Sequence, residues 1–188
     1  MEAIDRDLLS GCCTGELEAV YAAIENGANL DVADEYGHTP LMKTAMCGHI
    51  PILDTLLANG ANVAAQDSQG ITALGYGVVE KYLDVCEKLV SGGAGVHQMA
   101  FDGLRSPWFI ACEEGHFKIV EMFVIASGQL NNLDLVNARG QTGLILACTK
   151  QRIPTMHFLR QFGADVNKKD RFGKSARDYA AELHLDFL

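Results

Sequence analysis

Asp34-Glu35-Tyr36-Gly37-His38-Thr39-Pro40-Leu41, then Gly48-His49, then Leu56-Leu57-Ala58-Asn59-Gly60-Ala61-Asn62-Val63, is the stretch from which the fold can be read. Gly37 supplies a turn position suited to positive φ, which other residues adopt at a cost. Thr39 offers a hydroxyl to cap a helix, and Pro40 suits the first helical position because it has no N–H to leave unpaired. Leu41, Thr44 and Ala45 then fall on one face of a short helix, and Gly48 is a left-handed stop. Pro51 opens a second helix whose apolar stripe is Ile52, Leu53, Leu56 and Leu57. Gly60 ends it, and the chain runs out to the next turn. Helices this short are marginal in water by themselves, so burial has to come from stacking against neighbours.

The pattern recurs. Gly37, Gly70, Gly103, Gly140 and Gly173 stand 33, 33, 37 and 33 residues apart, each followed by a hydroxyl residue: Thr39, Thr72, Ser106, Thr142 and Ser175. A period near 33 sustained along the chain is the mark of a repeat architecture. These residues resemble the ankyrin repeat, and the resemblance covers essentially the whole chain. It implies an all-α repeat solenoid of stacked helix-turn-helix units joined by β-turn or hairpin loops. Residues 1–188 would form a single repeat domain, with repeats at about 1–33, 34–66, 67–99, 100–136, 137–169 and 170–188; the first and last act as caps.

Departures from the pattern carry their own expectations. The third repeat has Lys81-Tyr82 in place of Gly-His, and Gly75 and Gly77 inside its first helix. Each glycine costs about 1 kcal/mol relative to alanine, so this repeat is predicted to be the least stable internal one. Faster hydrogen exchange over 72–80 than over 142–150 is the corresponding measurement. Hydroxyl spacings of 34 and 36 place extra residues at Phe101–Arg105 and around Ser127-Gly128-Gln129.

With 188 residues, 48% hydrophobic and 21% charged, the chain can build a core, and its composition argues against wholesale disorder. A formal charge of −9 argues against general binding to nucleic acid or anionic membrane. It is uneven: residues 1–94 hold four basic and fourteen acidic residues, and residues 95–188 hold eleven and ten. No run is long and apolar enough for a membrane span, and the N-terminus does not read as a secretory signal. Six cysteines without such a signal read as reduced thiols and an intracellular, cytoplasmic or nuclear protein.

Candidate chemistry is sparse. Cys12, Cys112 and Cys148 share a register with Ala45, Val78 and Ala181, the small buried face of the first helices, and Cys86 sits on a second-helix stripe. Cys13 and Cys47 fall on the exposed side, and vicinal Cys12-Cys13 lacks the spacing of a zinc or redox pair. His49 and His116 read as turn residues, and His38 as an exposed turn tip. Trp108, in the register of Leu41, reads as buried packing. No phosphate loop, metal motif or catalytic arrangement emerges, so no enzyme, cofactor or metal is expected.

Stacking leaves the turn tips and the outward side of each first helix uncovered, a concave strip along such a solenoid. The resemblance implies that this strip binds other proteins. Carried over by register, it holds Glu35, Tyr36, His38, Met46, Ile71, Glu80, Phe101, Asp102, Leu104, Arg105, Glu113, Arg139, Gln141, Lys150, Arg171 and Phe172. Tyr36, Ile71, Phe101, Leu104 and Phe172 are larger apolar groups than a turn tip needs for solubility, and aromatic and Arg residues are common interface anchors. The expectation is a non-catalytic protein-interaction module (adaptor, scaffold or inhibitor), monomeric alone, with a protein partner. Its alternative is a regulatory subunit or fragment of a larger catalytic protein. A nucleic-acid reading would rest on the C-terminal basic residues alone.

Overall fold

In the computed structural model, residues 2–126 and 132–185 are described. Among them the chain is all-α, with eleven helices and a single isolated antiparallel bridge between Lys169 and Ser175. No helix among them is long and apolar enough to cross a membrane. The insertion expected around Ser127-Gly128-Gln129 lies outside the described residues. The backbone divides into two compact units, Met1–Phe101 and Asp102–Leu188. The charge asymmetry follows that division: the first unit holds four basic and fourteen acidic residues, the second eleven and ten.

The first unit contains α1 (Ala3–Thr14), α2 (Leu17–Glu25), α3 (Pro40–Cys47), α4 (Ile50–Ala58), α5 (Ala73–Val79) and α6 (Leu83–Ser91). First helices pack in a row, α1 on α3 and α3 on α5, with the second helices α2, α4 and α6 layered against them. The second unit contains α7 (Pro107–Glu114), α8 (Phe117–Ala126), α9 (Gly143–Thr149), α10 (Ile153–Gln161) and α11 (Ala176–Glu182), with α9 packed between α7 and α11.

Local chemistry starts and stops these helices as the residue types dictate. The hydroxyls of Thr39, Thr72, Ser106, Thr142 and Ser175 each accept the backbone N–H three residues on, at 3.2–3.4 Å. Gly15, Gly48 and Gly115 take left-handed φ of 84°, 75° and 74° where first helices end. The same place is held by Lys81, Gln151 and His184 in the other repeats, and all three are forced to φ of 64°, 56° and 54°. The architecture thus imposes the left-handed stop even where no glycine is supplied, at the expense of backbone strain. Lys81→Gly is expected to stabilise the protein by about 0.5–1 kcal/mol, since glycine's own entropic cost offsets part of the relief. Urea denaturation measures it, with Gly48→Ala as the opposite case: a Cβ there would stand 3.0 Å from the Tyr82 ring.

The cores are the expected apolar registers. Leu41, Thr44, Ala45, Ile52, Leu53 and Leu56 are buried, as are Cys12, Cys86, Cys112, Cys148 and Trp108. Burial pushes the thiol of Cys12 up to about 11 and those of Cys86 and Cys148 to about 12, consistent with inert packing groups. Ala181, expected in the same buried register, is exposed instead. In the internal repeats a second helix covers that position, whereas among the described residues none follows α11. The glycines in α5 also have a steric reason: a Cβ on Gly77 would meet Val85 at 3.0 Å, so α5 and α6 approach more closely than alanine would allow.

Candidate functional site

Four of the five turn tips are locked by a carboxyl or amide at their first position, a role that composition and glycine spacing did not bring out. Oδ1 of Asp34 accepts the backbone N–H of Tyr36 and His38, and Asp67 those of Gln69 and Ile71. Asn137 accepts from Arg139 and Gln141, and Asp170 from Phe172 and Lys174. This is the local side-chain capping at which Asp and Asn excel. The fourth repeat has Ala100 in that place, and Asp102 substitutes for it by accepting the N–H of Leu104 and Arg105. The extra residue inferred from the 34-residue spacing is thereby absorbed. Adjacent tips are joined by backbone hydrogen bonds, Ser68 N–H to Tyr36 O and Phe101 N–H to Gln69 O in the first unit. In the second unit the N–H groups of Ala138 and Arg171 donate to Gly103 O and Arg139 O.

In the first unit, Glu35, Tyr36, Glu80 and Phe101 are exposed, and Met46 and Ile71 are half-buried. Tyr36 and Phe101 present 59% and 70% of their surfaces at the tips. His38 is not the exposed tip residue its position indicated: only 17% of its side chain is accessible. Its Nδ1 lies 3.3 Å from Asp34 Oδ2, and its Nε2 is 3.1 Å from the Tyr76 hydroxyl. The Tyr76 hydroxyl in turn donates to Asp67 Oδ2, and Lys43 pairs with Asp34 at 2.7 Å. With both ring nitrogens engaged, His38 bridges two repeats. Burial would raise the Asp34 pKa, but Lys43 and the N–H groups of His38 and Tyr36 outweigh it and lower it to about 2. That contribution to stability is present above the ordinary carboxylate range and is lost as pH falls from about 4 toward 2. His49 likewise does more than fill a turn, with Nε2 3.2 Å from Cys13 O.

In the second unit, seven of the expected residues converge. Asp102, Leu104, Arg105, Glu113, Arg139, Gln141 and Lys150 line one open groove of about 420 Å³. Asn137, Leu146 and Thr149 complete it; the first two were missed because one locks a turn and the other reads as core. Two of the three cations are already paired, Arg105 with Asp102 at 2.8 Å and Lys150 with Glu113 at 3.2 Å. The carboxyl of Asp102 is held below the usual range although burial opposes it, because the N–H groups of Leu104 and Arg105 and the Arg105 guanidinium stabilise the charge. Arg139 is exposed at the rim. Arg171 and Phe172 stand exposed on the next tip and do not line the groove. The arrangement offers directional donors to acidic or carbonyl groups, with an apolar floor at Leu104 and Leu146.

Over 84 residues, 45% of its length, the chain is 32% identical to the probable E3 ubiquitin-protein ligase XBOS32 of Oryza sativa subsp. japonica, and it spans only 16% of that protein. Among solved structures, it resembles a chain of the Bd0816 predatory endopeptidase from Bdellovibrio bacteriovorus in complex with immunity protein Bd3460. The TM-score is 0.81 and the identity 29%, over 95% of this chain and 92% of that one. This match overturns the expectation of a non-catalytic scaffold or adaptor with no enzyme involved, because the structure resembled along nearly the whole length is that of an endopeptidase system. Residue spacing had no means of revealing that association, since it reads the repeat and not what accompanies it. A family model described as ankyrin repeats (three copies) matches residues 8–102 and 108–188. The chain belongs to the ankyrin-repeat family.

Proposed function

We propose that this protein is a regulatory subunit that binds a catalytic protein, an endopeptidase in the first instance, and that the second-unit groove is part of the contact. The observation carrying this reading is the likeness, at 29% identity over nearly the full chain, to a chain of an endopeptidase–immunity protein complex. The convergence of Arg105, Arg139, Gln141 and Lys150 supports the groove. Apart from it, the exposed tip aromatics Tyr36 and Phe101 of the first unit and Phe172 of the second are side chains of the kind that anchor protein contacts. A monomeric state without the partner and an intracellular location belong to the same proposal, the latter supported by six unpaired cysteines.

The test is calorimetric titration of the purified chain into the Bd0816 endopeptidase, with the hydrolysis rate followed in parallel. A complex that changes the rate is expected, and Arg139→Glu with Lys150→Glu should weaken it at least about tenfold by charge reversal. No complex with Bd0816, or one indifferent to both reversals, would refute the partner class or the groove respectively. A second reading, a piece of a larger catalytic protein, is favoured by the partial coverage of the rice ligase. Its mark would be an intact mass in the source cells well above 20.3 kDa.

A further inference from the structure

Register arithmetic does not pair Cys13 with Cys47: Cys13 corresponds to Met46, and Cys47 to Thr14. The packing of α1 on α3 nevertheless puts their Sγ atoms 4.0 Å apart. Cys13 is exposed and Cys47 half-buried, whereas Cys12, Cys86, Cys112 and Cys148 are fully buried. The only thiols open to solvent among the six cysteines are thus neighbours on adjacent first helices. We propose that Cys13 and Cys47 are a disulfide-forming pair, oxidised by a low-molecular-weight disulfide of the glutathione type, which cross-links the first repeat to the second.

A disulfide bond is about 2.05 Å long, so each sulfur has to move about 1 Å, within the range of a side-chain torsion adjustment. Cys13, the more exposed, loses its proton to solvent, and its thiolate attacks one sulfur of the oxidant. The oxidant's S–S bond breaks, and the departing thiolate takes up a proton. Cys47 then loses its proton and attacks the Cys13 sulfur, breaking the mixed disulfide and releasing a second small thiol. Two electrons pass from the protein thiols to the oxidant, which leaves as two thiols. Burial raises the Cys47 pKa, the neighbouring Cys13 adds to this and Lys43 opposes it, which suits Cys47 to the second step rather than the first. Met46, beside Cys47, belongs to the expected contact surface, so oxidation would tether that stretch of α3 to α1.

The experiment treats the full chain with glutathione disulfide, quenches with an alkylating agent, and maps the peptides by mass spectrometry. Both solvent-reactive thiols are expected to be lost together, with the protein lighter by two hydrogens and a linked Cys13–Cys47 peptide. The apparent Tm should rise by several degrees because the link constrains the unfolded chain. Cys47→Ser should instead retain glutathione on Cys13, and Cys13→Ser should slow loss of the Cys47 thiol at least about tenfold. Persistence of glutathione on the wild-type protein, or a link between Cys12 and Cys13, would overturn the proposal. So would thiols that stay alkylatable under conditions in which Cys47→Ser takes up glutathione. Circular dichroism on both serine variants checks that each is folded.

Discussion

Replacing Trp108 with alanine is expected to destabilise the second unit by about 3–5 kcal/mol, the range for emptying a large aromatic site. Trp108 is only 2% exposed and occupies the place that Leu41 holds two repeats earlier. The room for so large a side chain comes from the next repeat. At Gly143, where the second and fourth repeats have Pro40 and Pro107, an added Cβ would lie 2.9 Å from Trp108 Nε1 and 2.8 Å from Cys112 Sγ. Gly143→Ala alone should therefore cost about 1–3 kcal/mol through overpacking. Combined with Trp108→Leu, it should cost less than the separate losses added together, because the smaller residue vacates the space the methyl needs. Urea denaturation followed by circular dichroism measures Trp108→Ala, Trp108→Leu, Gly143→Ala and the Trp108→Leu/Gly143→Ala double variant, since fluorescence loses its probe with the single tryptophan. Additive losses would show that the two positions do not share space.

The second large effect is at Asp67, where alanine is expected to cost about 3 kcal/mol. This carboxyl is buried, accepts two backbone N–H groups with one oxygen, and takes the Tyr76 hydroxyl on the other. His38 Nε2 lies 3.8 Å from the same oxygen. Truncation strands the turn's donors and removes the anchor of the chain of contacts from Asp67 through Tyr76 to His38 and Asp34. Asp67→Asn keeps one oxygen for the turn and can still meet Tyr76, so it should cost about 1 kcal/mol. Hydrogen exchange at Gln69 and Ile71 reads the turn directly: both amides should lose protection in the alanine variant and keep most of it in the asparagine variant. Equal protection in the two would assign the stability to packing instead.

Much of this molecule is legible from residue order because the forces concerned are local. A hydroxyl three residues before a free N–H caps a helix wherever it occurs, and glycine ends one because its φ is unrestricted. An apolar stripe of period 3.6 has to be covered. Those three rules account for the caps from Thr39 to Ser175, the stops at Gly15, Gly48 and Gly115, and the buried registers of Leu41, Ile52, Leu53 and Leu56. The turn-locking Asp34, Asp67, Asn137 and Asp170 were equally local and equally periodic, and they were open to the same reading.

What residue order does not contain is the offset at which one repeat rests on the next. A period of 33 says which positions are equivalent, but the side chains that touch belong to inequivalent ones. Cys13 meets Cys47, His38 meets Tyr76, and Trp108 is accommodated by Gly143. Stacking also overrides local preference, driving Lys81 and Gln151 left-handed because the second helix must turn back whatever residue stands at the corner. Ala181 makes the converse case: its register called for burial, yet among the described residues no second helix follows α11 to cover it. Equivalence along the chain comes from local energetics, whereas contact and exposure come from the rigid-body fit of neighbouring hairpins.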